Sequence, residues 1–170
     1  DSIKKIPEVA EVSTIAEFPG GIKNKDIAGS VQVRIVESNY FRLTGLLTKN
    51  DIEVFENQKG TIISSQAGNL IQADKSKSII GEDLDIRIFY EDEKTGVYEE
   101  ATTTQMVPLL SFIDDDMSPP FVIVSRNILS KEPPFFRSLL VKVVDVDHLE
   151  RVRDILTAQG FIVSARIDLV

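Results

Sequence analysis

Cysteine is absent from this sequence, which removes disulfides, thiolate metal sites and cysteine nucleophiles together. Histidine is almost absent as well: His148 is the only one, so imidazole catalysis or a shared histidine metal site has no second member to draw on. No apolar run approaches the roughly 18 to 20 residues that span a bilayer, and no basic stretch followed by an apolar one opens the chain. Acidic residues outnumber basic ones, 27 to 19. The formal net charge is −8 and the pI about 4.7, and no window interleaves Lys and Arg with aromatics, so a nucleic acid is not the expected partner. The same sign disfavours a bare anionic lipid surface within a Debye length of about 8 Å.

What is present is enough for a packed core. Hydrophobic residues make up 42% and charged residues 27% of 170 positions, the balance of a globular chain of one or two small domains. Ile3 and Ile6 sit at a helical spacing that Pro7 stops, and Glu8 to Phe18 reads as a strand ended by Pro19-Gly20-Gly21. Val31, Val33 and Ile35 alternate with Gln32 and Arg34, a strand with one wet face. A loop through Lys49-Asn50-Asp51 is expected to lead to the β-branched run Thr61-Ile62-Ile63, followed by a brief helix over 66–71. Leu84, Ile86, Ile88 and Tyr90 form a second alternating strand, and Glu91 to Gly96 a hairpin loop that returns through Val97-Tyr98 and Thr102-Thr103-Thr104. By composition Ser111 to Pro120 is a loop, and Phe121 to Val124 a buried strand.

Beyond Pro133-Pro134 the pattern predicts a βαβ unit: strand Leu139 to Val144, a helix, and strand Phe161 to Leu169. The helix takes Asp147 as N-cap with Glu150 three residues on, buries Leu149, Val152, Ile155 and Leu156, and ends at Gly160. Such a unit needs further strands, and the N-terminal helix and strand complement it. The expected fold class is therefore α+β, a discontinuous lobe from residues 1–40 and 136–170 with a mostly β lobe of residues 41–135 inserted in it. Both ends read as cuts in a longer chain.

The search for chemistry is mostly negative. Neither a nucleophile elbow nor a phosphate-cradling glycine loop occurs. Ser2-Ile3-Lys4-Lys5 and Lys94-Thr95-Gly96 match two fragments of the penicillin-recognising signature, but the third is missing and Lys94 lies in a hairpin loop. Asp114-Asp115-Asp116 offers oxygen atoms but lacks the alternation, glycine and distal glutamate of a calcium loop, and reads as a solvated acidic turn. Glu99 and Glu100 point to opposite sides of a strand, and His148 in the first turn of an amphipathic helix reads as solvated. No catalytic residue, metal ligand or cofactor site is assigned. Two loops instead combine apolar groups with rigid proline: Met117-Ser118-Pro119-Pro120-Phe121 and Pro133-Pro134-Phe135-Phe136. From them Met117, Pro119, Pro120, Phe121, Phe135 and Phe136 are the candidate partner-binding residues, with core filling as the competing role of the three phenylalanines.

Taken in order, these segments resemble the extracytoplasmic domain of the MacB and FtsX family of ABC transporter permeases. Ser2 to Val12 is similar to the family's helix and I-P-x-V-x-x-V segment, and Val33 to Gly45 with Tyr40-Phe41 to its Y-F-x-x-x-G segment. Thr61 to Leu70 resembles its I-S-x-x-x-A-x-x-L element, Ile80 to Leu84 its I-G-x-x-L, and Phe121 to Ser125 its late strand. Val141 to Val170 resembles its closing βαβ, with Ala165 and Arg166 before Asp168. The resemblance implies a porter-like lobe near the membrane and a β-rich lobe beyond it, on the extracytoplasmic face of a bacterial cell membrane. It implies tethering through flanking membrane helices and no enzymatic activity, since ATP hydrolysis lies in a separate nucleotide-binding domain. The implied partners are the rest of the permease, its ATPase subunit, and an adaptor or cell-envelope protein. From the residues alone a second reading stands beside it, a ferredoxin- or ACT-like regulatory module that binds a small molecule.

Overall fold

Strand β1 organises the molecule. In the computed structural model, which describes residues 2–73, 79–101 and 106–165, it runs unbroken for 16 residues, Val9–Asn24, and turns at Lys25 into β2, Ile27–Val36. There follow α1 (Tyr40–Thr44), α2 (Lys49–Asn57), β3 (Thr61–Ser64), α3 (Ser65–Leu70), β4 (Asp83–Glu91), β5 (Tyr98–Glu100), β6 (Met106–Ile113), β7 (Phe121–Ser125), β8 (Ser138–Val143) and α4 (Leu149–Ala158). A short 3₁₀ turn, Ile3–Lys5, precedes β1.

The sheet order is β5-β4-β6-β3-β7-β2-β1-β8, and β4 also pairs with β1. Six strands therefore close into a ring, β1-β2-β7-β3-β6-β4 and back to β1, with parallel pairs at β2·β7 and β3·β6 and antiparallel pairs elsewhere. A barrel this narrow has room only for side chains. Phe18, Ile22, Val33, Ile86, Ile88, Leu109 and Val122 belong to the buried cluster that fills it. On the outside, Phe41 of α1 and Phe55 of α2 stack edge to face at 4.8 Å and join Ile62, Phe121 and Ile123 in a second core.

The first half of β1 continues past the barrel as a two-stranded ribbon with β8, from Val9↔Val143 to Ile15↔Ser138. Helix α4 packs there, and Val152 and Leu156 meet Ile3, Val12, Leu139 and Val141 in a third core. The N-terminal segment and the late strand and helix thus pack together in an α+β fold.

Five expectations need correction, the last of them beyond α4. Pro19-Gly20-Gly21 does not end β1. On the side away from β2, β8 pairs up to Ile15 and β4 starts at Gly20, so Pro19 stands in a gap where no neighbour needs its missing N–H. Gln32, its partner on β2, sends its own N–H to the Pro120 carbonyl instead. Gly20 then allows closure: a Cβ there would lie 2.3 Å from the Arg87 carbonyl oxygen and 2.5 Å from Val33 Cγ2. Secondly, Lys49-Asn50-Asp51 opens a helix, because Thr48 Oγ1 accepts the Asp51 N–H and Phe55 supplies a buried anchor. Ser111 to Ile113, likewise, belongs to β6 rather than a loop, held by the ladder to β3. In addition, Asp145 and not Asp147 caps the entry to α4, through a 3₁₀ turn at Val146–His148.

At the far end of α4 the expected glycine stop is formed. Gly160 has φ +92°, its N–H reaches the Thr157 carbonyl, and the Phe161 N–H reaches the Leu156 carbonyl. Residues 161–165 that follow are irregular rather than the expected strand, with no ladder on them; the rest of that expectation, like Thr102-Thr103-Thr104, lies outside the described residues.

Candidate functional site

The loop between β6 and β7 is built from serine and aspartate chemistry. Ser64, the last residue of β3, turns its buried Oγ to accept both the Ala67 N–H at the start of α3 and the Phe121 N–H at the start of β7, each at 3.1 Å. Ser65 beside it donates to the Asp115 carbonyl and to Asp116 Oδ1 and accepts the Asp115 N–H at 3.2 Å. Asp115 then closes the turn on itself. Its Oδ1 accepts the N–H groups of Met117 (2.9 Å) and Ser118 (3.0 Å), and its Oδ2 accepts the Ser118 hydroxyl at 2.7 Å. These three donors hold the Asp115 carboxyl below its ordinary value of 3.8.

At the apex of this pinned loop stands Met117, 95% exposed. A thioether side chain in water gains from any apolar partner, and a backbone already fixed by hydrogen bonds loses little freedom on docking. Pro119 is exposed beside it and Pro120 is half-buried.

The other candidate residues divide. Phe121 is 5% exposed, a core residue with the Arg34 guanidinium 5.0 Å above its ring. Phe135 is partly buried against Phe18, ring to ring at 5.1 Å. Phe136 is 39% exposed under the guanidinium of Arg126, which also bridges Glu37 (3.0 Å) and Glu132 (2.7 Å). The two loops are not one surface. Met117 lies just before β7 and the Arg126–Phe136 stack just after it, so roughly 17 Å of strand separates them. The Met117 end is also the one remote from α4: β1 begins beside β8 and reaches the β1–β2 turn on the order of 50 Å later.

The remaining chemical fragments have local roles. Asp92 Oδ1 accepts the Lys94 and Thr95 N–H groups and the Thr95 hydroxyl, so Lys94-Thr95-Gly96 is a turn, with Gly96 at φ +67°. His148 Nδ1 pairs with Asp145 Oδ1, a contact that draws the Asp145 carboxyl downward. Asp115 spends its carboxylate on its own loop, and among the described residues no three metal-ligating side chains converge. Sequence reasoning passed over a second exposed apolar group, Val97 and Tyr98 on the β4–β5 arm with Met106 nearby in chain order. The available signal was the apolar pair directly preceding Glu99-Glu100 in a hairpin.

No protein-family model matches the chain, and no curated protein does. Solved structures do. The extracellular domain of the noncanonic ABC-type transporter YknZ from Gram-positive bacteria is 14% identical over 94% of this chain and 81% of that one, with a TM-score of 0.61. The periplasmic region of MacB from Actinobacillus actinomycetemcomitans gives 12% identity over 93% and 71%, TM-score 0.56. A domain of a putative permease from Porphyromonas gingivalis gives 10% over 94% and 73%, TM-score 0.52. The chain has the fold of these extracytoplasmic transporter domains, as the motif order implied.

Proposed function

We propose that this chain is the outer domain of an ABC transporter permease subunit, placed on the extracytoplasmic side of a bacterial membrane, where it binds a partner or substrate and passes on the motion of the flanking membrane helices. The observation that carries the reading is the shared fold over nearly the whole chain, in the order the sequence motifs follow. In this reading the domain is not an enzyme, and the permease core and its ATPase subunit are its standing partners. Residues 1–40 and 136–170 form the membrane-proximal lobe and 41–135 the inserted one, with the β1–β2 hairpin shared between them. The separate core of Ile3, Val152 and Leu156 supports that division. The contact surface for an adaptor or cell-envelope protein is the Met117 loop with Pro119 and Pro120, its exposure and its fixed backbone being the support. Phe136 marks a secondary surface near the membrane-proximal lobe, with Phe135, packed against Phe18, as a lesser contributor.

The absence of cysteine gives a direct test. Met117→Cys in the full-length protein introduces a thiol that this domain otherwise lacks. In intact cells a membrane-impermeant maleimide labels it above the wild-type background if the domain lies outside; labelling only after lysis overturns the placement. A photo-crosslinking amino acid at the same position captures the partner, and its failure to crosslink anything moves the contact surface to Phe136.

A further inference from the structure

We propose that the β4–β5 arm is a docking edge for an extended basic segment of a partner protein, which adds to β5 as a further strand. This goes beyond the transporter reading and does not involve the Met117 loop.

The arm follows from its pairing. β5 lies along β4 in the register Phe89↔Glu100, Tyr90↔Glu99 and Glu91↔Tyr98, and among the described residues no strand pairs with its other edge. Ala101 donates its N–H to the Ile88 carbonyl and Asp92 donates to Val97, so the odd-numbered residues of β5 face β4. The amide and carbonyl groups of Tyr98 and Glu100 therefore point to the open edge. Such an edge is a template for another strand, and proteins usually blunt it by keeping it short or with charged side chains, proline or a bulge. β5 has three residues and carries Glu99 and Glu100, charges that repel an acidic strand but attract a basic one, and it contains no proline or lysine.

The side chains specify what would fit. Tyr98 and Glu100 share a face with Glu91 and Phe89, and Tyr98 is 52% exposed with Val97 at 56% beside it. Residues 82–100 carry eight carboxylates against two cations, Arg87 and Lys94, so six of the chain's eight net negative charges belong to this stretch. A second copy of the chain would set like charge against like across the new ladder, which opposes self-pairing. A segment alternating Lys or Arg with apolar residues meets both demands: its cations lie on the face of Glu100 and Tyr98, where the Tyr98 hydroxyl already donates to Glu91, its apolar groups lie on the opposite face with Val97, and its backbone completes the Tyr98 and Glu100 hydrogen bonds.

The test uses the whole chain and a blocked nine-residue peptide alternating lysine and valine, with a glutamate-for-lysine peptide as counterpart. The lysine peptide is expected to slow exchange of the Tyr98 and Glu100 amides and the glutamate peptide to leave them unchanged. Glu100→Lys should weaken binding about tenfold. Glu100→Pro, which removes an outward N–H, should abolish it while the Ala101 amide stays protected, a sign that the hairpin is intact. Met117→Ser should have no effect, which separates this edge from the proposed adaptor surface. Equal binding of both peptides, retained binding by Glu100→Pro with an intact hairpin, or protection confined to residues away from β5 overturns the proposal.

Discussion

Replacing Gly20 with alanine should loosen the barrel at its closure. The new Cβ would sit 2.3 Å from the Arg87 carbonyl oxygen, more than 1 Å inside ordinary contact, and 2.5 Å from Val33 Cγ2. The valine methyl can rotate away, but the carbonyl belongs to β4 and is fixed by the pairs Gly20↔Ile88 to Lys23↔Asp85. Relief therefore requires β4 to move off β1. Overpacking of this kind costs about 1–3 kcal/mol, and a backbone obstacle places it at the upper end, near 3 kcal/mol. For a chain of this size that is a fall of roughly 6–12 °C in Tm. Gly21→Ala is the control one residue along, where the nearest atom, the Gly29 carbonyl oxygen, lies at 3.7 Å. It should be neutral or stabilising by up to about 1 kcal/mol, because alanine restricts the unfolded chain. Urea unfolding of both variants gives the difference, and hydrogen exchange should show faster opening of the β4 amides in Gly20→Ala alone. Equal stability of the two variants would refute the argument that a close approach at Gly20 is what permits the ring to close.

Two further outcomes are expected. Phe55→Ala removes the buried anchor of α2 and its edge-to-face contact with Phe41, and should cost about 3–5 kcal/mol in chemical unfolding; a loss under about 1 kcal/mol would mean that α2 is not held by this residue. Acidification should release the Met117 loop. The Asp115 carboxyl is depressed in the folded chain, so its stabilisation is complete above the ordinary 3.8 and disappears as the pH falls through the depressed value. The Met117 and Ser118 amide shifts report this in a pH titration, and a midpoint at or above 3.8 would show that the carboxylate does not hold the turn.

How much of this was legible depended on whether one strand or helix explained a residue by itself. The alternation at Val31, Val33 and Ile35, and again at Leu84, Ile86, Ile88 and Tyr90, is a local signal of period two, and both strands form with those residues buried. Gly160 likewise ends its helix for a reason contained in the six residues from Leu156 to Phe161. Pro19-Gly20-Gly21 misleads because its meaning is tertiary: whether proline interrupts a strand depends on which neighbour lies alongside, and only the handover from β8 to β4 supplies that. The helix at Lys49–Asn57 carried a local signal, Thr48 with Asp51 three residues on, that its polar composition concealed. At the candidate site, Met117 was legible as an apolar residue in a proline-bounded loop. The inward turn of Phe121 was legible only in part: the run Phe121 to Val124 reads as a buried strand, but a side chain next to a loop and at the head of a strand can face either way, so Phe121 also stood among the surface candidates.

The unbroken run of β1 also determines how the molecule carries force. A displacement applied at Ile3 enters one continuous strand whose hydrogen bonds to β8, β2 and β4 lie across the direction of pull, so they are loaded together in shear and cannot be peeled one after another. In the proposed role, with no loop in that strand and only the register shift between Val9 and Glu11 to absorb a stroke, ribbon and barrel would travel together as one lever, and a small tilt at the α4 end would become a wider sweep at the β1–β2 turn.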